Sequence, residues 1–241
     1  MTSLLVTGGT GRLGRPAVNA FRAAGHQVRV LSRRAGPEHV VADLTTGEGL
    51  TAAVQGADVV VHLATSTRGQ DAQQTRNLLG AVAGLRHLVV MSIAGIDRIP
   101  LGYYRAKIEV ERLVEESGVP YTILRATQFH DLVAQVFAAQ RYLPVVVAPK
   151  MMMQPIAVEE VAARLTELVG APPLKGRAAD IGGPERLSVP ELAHIWKRAK
   201  GSRRPIVPIR LGGTVFRAFA AGDAMVDGPA YGRITFAEHL G

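Results

Sequence analysis

Three groups of residues in this 241-residue chain have types and spacings that could do chemistry. The first is Gly8-Gly9-Thr10-Gly11-Arg12-Leu13-Gly14, with glycines at 8, 11 and 14. Such a turn lets the chain reverse sharply, brings backbone close to a pyrophosphate and lets the next helix pack tightly. A helix opening there points unpaired N–H groups and its positive dipole end at phosphate. The second group is Ser32-Arg33-Arg34. Two adjacent guanidiniums offer bidentate donors to a phosphate where an acidic residue would instead favour a free ribose 2′-hydroxyl. The third is Tyr103 with Lys107, four residues apart and therefore on one face of a helix. A phenol that ordinarily titrates near 10 needs a cationic neighbour to act as an acid or base near neutrality.

These residues need elements to hold them. Short apolar runs at 4–7, 27–31, 40–42, 59–62, 87–91 and 121–124 alternate with Ala-rich helical stretches at 13–24, 49–55, 71–83, 103–116 and 129–140. Continuous apolar strands separated by helices predict a parallel sheet covered on both faces. The fold class is α/β: a Rossmann-like, doubly wound parallel sheet with a small C-terminal substrate-binding lobe. The expected division is a core over 1–143 and a lobe over 144–241, integrated as one domain. Beyond Leu143, prolines interrupt the rhythm; helices are expected at 158–169 and 189–200, the second capped by Ser188, and strands at 178–181 and 206–209.

The order of these motifs resembles a known family. Thr7 to Gly14, the Leu63-Ala64-Thr65 turn, Met91-Ser92-Ile93-Ala94-Gly95, Tyr103-Tyr104-Arg105-Ala106-Lys107 and Ser117 through Arg125 follow one another as in the short-chain dehydrogenase/reductase superfamily. The chain is most similar to the atypical, NmrA-like NAD(P)H-binding branch. The resemblance implies that Tyr103 donates a proton to a substrate carbonyl, that Lys107 lowers the phenol's pKa and holds the nicotinamide ribose, and that Ser92 orients the substrate oxygen. The expected cofactor set is Gly8, Thr10, Gly11, Arg12, Leu13 and Gly14 at the pyrophosphate, with Ser32, Arg33 and Arg34 at a 2′-phosphate. Asp43 and Leu44 are expected at the adenine, and Ala64, Thr65 and Lys107 complete the set. NADP(H) is favoured over NAD(H). Gln128, Phe129 and Met152 are expected to touch substrate, although Met151-Met152-Met153 reads equally well as ordinary packing. His130-Asp131 reads as a helix start with a capping aspartate.

The implied function is an NADPH-dependent oxidoreductase that reduces a small apolar carbonyl or quinone-type substrate by hydride transfer. The same branch includes dinucleotide-binding redox sensors that bind a protein partner and perform no chemistry. An epimerase or dehydratase acting on a nucleotide sugar with a retained cofactor is a third reading, for which the last third leaves little material. The net charge of +8 comes from scattered residues, 23 arginines and 5 lysines, without a basic block. It therefore points to a phosphate-bearing cofactor near Arg12, Arg33, Arg34 and Lys107 rather than to nucleic acid. Absent cysteine excludes thiolate metal sites and a Cys nucleophile. No metal is expected. With no basic leader and no membrane-length apolar run, the sequence predicts a cytoplasmic protein with a small-molecule substrate and leaves a homodimer open.

Overall fold

The apolar runs of the first half become strands of one sheet in the computed structural model, which describes residues 1–66 and 69–241. In chain order these elements are β1 (Ser3–Thr7), α1 (Gly14–Ala23), β2 (Gln27–Ser32), β3 (His39–Val41) and α2 (Leu50–Val54). Next come β4 (Val59–His62), α3 (Asp71–Ala81), β5 (His87–Ile93), α4 (Gly102–Glu116) and β6 (Tyr121–Ala126). The remainder is α5 (His130–Ala139), β7 (Val146–Pro149), β8 (Met152–Met153), α6 (Val158–Gly170), β9 (Gly176–Arg177), β10 (Leu187–Ser188), α7 (Val189–Ala199), β11 (Ile206–Ile209), α8 (Thr214–Ala221) and α9 (Phe236–Leu240).

Contacts group the chain into two compact units, 1–92 with 105–125 and 159–179, and 93–104 with 126–158 and 180–241. The interleaving differs from a single cut at 143/144. Part of it comes from β9, which follows α6 and pairs in parallel with β6, so that 159–179 joins the first unit.

That sheet has the order β3-β2-β1-β4-β5-β6-β9. β1 pairs in parallel with β2 and with β4, placing Thr7 opposite Leu31 on one side and His62 on the other. The order runs outward from β1 to β3 and resumes on its other side with β4. This is the switch point at which doubly wound sheets open a crevice beyond their strand ends. Leu4, Leu5, Val6, Val59, Val60 and Val61 are completely buried, as expected for strands covered on both faces. On α1 the buried residues Gly14, Ala17, Val18 and Phe21 fall at the i, i+3, i+4, i+7 spacing of a core-facing stripe.

The second unit is built from shorter pieces. β8 pairs antiparallel with β10, and β7 pairs in parallel with β11. α7 starts with the expected Ser188 cap: Ser188 Oγ accepts from the Glu191 N–H, and the Glu191 carboxylate accepts from the Ser188 N–H. Phe137 and Trp196 meet with ring centroids 5.8 Å apart in a core that also holds Val133, Leu192 and Phe236. The strand expected at 178–181 does not form. β9 lies just before it, and Ile181 makes only a bridge to Ala126. The N-cap of α5 is Phe129, without a side-chain cap, so Asp131 does not cap; it lies in the first turn, 3.8 Å from His239. Among the described residues, no helix is long and apolar enough to cross a membrane.

Candidate functional site

The glycine turn leaves β1 and closes with the Gly11 N–H donating to Gly8 O at 2.9 Å. Two of its glycines are required by the chain itself. Gly8 has φ +71°, and a Cβ there would lie 2.7 Å from the Ala64 backbone nitrogen. A Cβ on Gly14 would come within 2.1 Å of Gly8 O. At Gly11 the only close neighbour of such a Cβ among the described residues is Gly8 O at 3.1 Å. Thr10, Gly11 and Arg12 are exposed, while the Leu13 side chain is buried and leaves only backbone for a ligand. α1 begins without a side-chain cap and without an acidic residue in its first turn. An open cradle at an uncapped helix start suits a pyrophosphate, so the residues present fit a dinucleotide.

Past β2, the Arg34 N–H donates to Ser32 Oγ at 3.1 Å, which shapes the turn. Arg33 and Arg34 are exposed, and neither guanidinium is paired with a carboxylate among the described residues. Asp43 Oδ1 accepts from the Thr45 N–H at 2.7 Å. The Leu44 side chain is packed in the core of the first unit, which leaves its backbone for a ligand.

Beneath the turn runs a chain of buried polar groups. The Ala64 N–H donates to Thr7 Oγ1 at 3.3 Å, Thr7 Oγ1 lies 2.7 Å from His62 Nδ1, and His62 Nε2 lies 3.3 Å from Thr75 Oγ1. Thr75 in turn donates to the Asp71 backbone carbonyl at 2.8 Å. Because that carbonyl can only accept, the Thr75 hydroxyl has given its hydrogen away and must accept from His62 Nε2–H. His62 Nδ1 then accepts from Thr7. The tautomer requires a neutral ring, and burial provides it: desolvation, aided by the Lys107 ammonium and opposed by Asp71, lowers the His62 pKa from 6.5 to about 4.

Asp71 opens α3 and is buried. Its Oδ2 accepts from Thr65 Oγ1 at 2.9 Å and its Oδ1 from the Ser66 N–H at 2.5 Å. Lys107 of α4 donates to Asp71 Oδ2 at 3.0 Å, with side chains only 8% and 2% exposed. Lys107, Thr65 and Ala64 are thus brought to one region of the first unit. The partner that gathers them, Asp71, was missing from the sequence reading, whose only signal was an acid at a helix start just after the β4 turn.

Ser92, at the end of β5, is 2% exposed, and its Oγ has no hydrogen-bond partner among the described residues. Such an orphaned hydroxyl is what a ligand oxygen would satisfy. In the second unit, Tyr103 is 41% exposed and its ring lies 6.2 Å from that of Tyr104. Tyr104 is buried; desolvation raises its phenol pKa, with the Gln128 amide opposing and Tyr103 adding to the rise. Phe129 sits at the start of α5. Met152 lines a groove of about 350 Å³ with Lys150, Met151, Ser188, Pro190 and Pro208, and neither Gln128 nor Phe129 belongs to that lining.

Comparison with known proteins bears on what such a cradle holds. The reductase of (4-alkanoyl-5-oxo-2,5-dihydrofuran-3-yl)methyl phosphate from Streptomyces griseus is 30% identical over 220 residues, spanning 84% of this chain and 75% of the relative. The photosystem II assembly factor Ycf39 of Trieres chinensis is 25% identical over 268 residues, 99% of this chain and 82% of its own. Among solved structures, the NADPH-dependent quinone oxidoreductase of Escherichia coli in complex with NADPH superposes with a TM-score of 0.82 at 20% identity, covering 98% of each chain. A family model described as NAD(P)H-binding matches residues 8–172, the stretch that carries the glycine turn, Asp71 and Lys107. The chain therefore belongs to the NAD(P)H-binding family.

Proposed function

We propose that the protein is an NADPH-dependent reductase of one small, mainly apolar carbonyl or quinone-type compound. The observation that carries the reading is the cradle. α1 starts uncapped and free of acid, Gly11 is exposed, and the Arg33 and Arg34 guanidiniums have no carboxylate partner among the described residues. A dianionic 2′-phosphate at Arg33 and Arg34 gives the preference for NADP(H) over NAD(H). The backbone from Thr10 to Gly14 would hold the pyrophosphate. Lys107, with donors beyond the one given to Asp71, would hold the ribose hydroxyls next to the nicotinamide.

When bound, the reduced nicotinamide supplies a hydride. Tyr103 would keep a proton on its phenol oxygen for a developing substrate alkoxide, and the Ser92 hydroxyl would orient the same oxygen. Tyr104 is held neutral by burial and serves as packing with Phe219, 6.4 Å away between ring centroids. Gln128, Phe129 and Met152 are the residues proposed to meet the substrate. Support for reduction comes from relatives named as reductases. NADPH oxidation against a panel of quinones and ketones tests the reading. Turnover of at least one compound is expected; tight NADPH binding without turnover on any of them would overturn it.

One observation favours a second reading, a dinucleotide sensor that presents a surface to a protein partner. The Ycf39 relative spans nearly the whole chain and is named an assembly factor. A pull-down with and without NADPH distinguishes this reading, since a sensor must show a nucleotide-dependent partner.

A further inference from the structure

We infer that Asp71 is a positioning residue that fixes the Lys107 ammonium for the nicotinamide-side ribose, an assignment that rests on the proposed cofactor reading. Three observations converge on it. Both Asp71 carboxylate oxygens are already held, by Thr65 Oγ1 and by the Ser66 N–H, before the lysine arrives. The carboxylate is therefore pinned to the segment just after β4 and cannot follow a mobile lysine. The pair is buried at both ends, 3.0 Å from Lys107 Nζ to Asp71 Oδ2. A buried ion pair is weak evidence for stability, because desolvating two charges offsets most of their attraction. Its contribution must then lie in where it holds the charge.

The third observation is the polar chain beneath the pair. The Thr75 hydroxyl donates to Asp71 O, and the Thr75–His62–Thr7 series ends on the Ala64 N–H. The backbone of Asp71 is thus tied through β4 to the end of β1, where the glycine turn begins. The distance between Lys107 and the pyrophosphate cradle is set by this route and not by the length of a flexible lysine side chain. Lys107 spends one donor on Asp71 and keeps two for ribose hydroxyls. Asp71 does not touch the reacting atoms; it acts through Lys107.

Isothermal titration of the full chain with two ligands tests this. NADPH contains the nicotinamide ribose, whereas adenosine 2′,5′-bisphosphate lacks it but keeps the 2′-phosphate. Asp71→Asn and Lys107→Met should each raise the Kd for NADPH about tenfold or more, as loss of a charge-assisted contact does. The double variant should be no worse than Lys107→Met alone, since the two residues act as one. Affinity for adenosine 2′,5′-bisphosphate should stay within about twofold throughout, which a general loss of structure would not allow. Asp71→Glu keeps the pair's charge but displaces the carboxylate by one methylene, so it should show a smaller loss for NADPH alone. It carries the test if Asp71→Asn does not fold. The inference is overturned if the folded Asp71 variants bind NADPH as the wild type does, if both ligands weaken equally, or if the two losses add. A wild-type chain that fails to bind NADPH would remove the cofactor reading and this inference together. Normal wild-type binding with indifferent Asp71 variants removes only this inference.

Discussion

Acid should destabilise this protein in part through the buried His62 imidazole, and the size of that contribution can be worked out. In the unfolded chain His62 titrates at its ordinary 6.5; in the folded protein burial holds it at about 4. The native state tolerates only the neutral ring, which Thr7 and Thr75 fix in one tautomer. The contribution of His62 to stability is therefore complete above pH 6.5 and is lost as the pH falls from 6.5 towards 4. A gap of about 2.5 in pKa corresponds to a ceiling of about 3.4 kcal/mol. Between pH 7 and pH 5, proton linkage gives a loss of about 1.8 kcal/mol, or about 4–7 °C in Tm for a chain of this size. His87 is also held at about 4 by burial, with Arg86 adding to it, so the wild-type pH dependence contains both imidazoles. Urea unfolding of the wild type and of His62→Gln at pH 7 and pH 5 separates them. The variant starts less stable, but its stability should fall about 1.8 kcal/mol less than that of the wild type over this interval. Parallel pH profiles for the two proteins would refute the reasoning, because the shift would then not belong to His62.

Three further outcomes are expected. Arg33→Asp should weaken NADPH binding about tenfold or more while leaving NADH binding nearly unchanged, and the difference should shrink at high salt; equal losses for the two cofactors would show that no 2′-phosphate is read there. Tyr103→Phe should remove most of the turnover of a carbonyl substrate, where a proton must reach the oxygen, but should spare much of a quinone's, where hydride passes directly to the ring; steady-state rates on one substrate of each kind decide this. Glu111→Gln should cost about 3–5 kcal/mol in denaturant unfolding, because it leaves the Arg125 charge without its buried carboxylate. That pair is bidentate, at 2.9 and 2.6 Å, with both side chains under a tenth exposed, and a cost below about 1 kcal/mol would contradict the assignment.

The parallel sheet was legible because its signals are local. Val59-Val60-Val61 and Leu4-Leu5-Val6 are continuous apolar runs, and only strands buried on both faces have a use for them. The glycine turn was legible for a similar reason, since steric demands on Gly8 and Gly14 leave no choice of residue. The second unit was read less well. β8, β9 and β10 have two residues each, too few for any periodicity, and α8 has Gly213 as its N-cap, with no side-chain cap to announce it. The strand expected at 178–181 failed because an apolar run cannot indicate how few of its residues will find a ladder partner.

By itself the sequence determined the βαβ rhythm, the glycine turn, the arginines past β2 and the Tyr103–Lys107 spacing, all of which depend on neighbours within a few residues. Tertiary structure alone decided the partners. Asp71 of α3 meets Lys107 of α4 across 36 positions, and Thr7 meets His62 across 55, a contact that exists only once β1 and β4 lie side by side. The same packing chose which groups to desolvate, holding His62 neutral and burying Tyr104 while leaving Tyr103 exposed. Charge state and burial are properties of an environment, and an environment is made by residues distant in the chain.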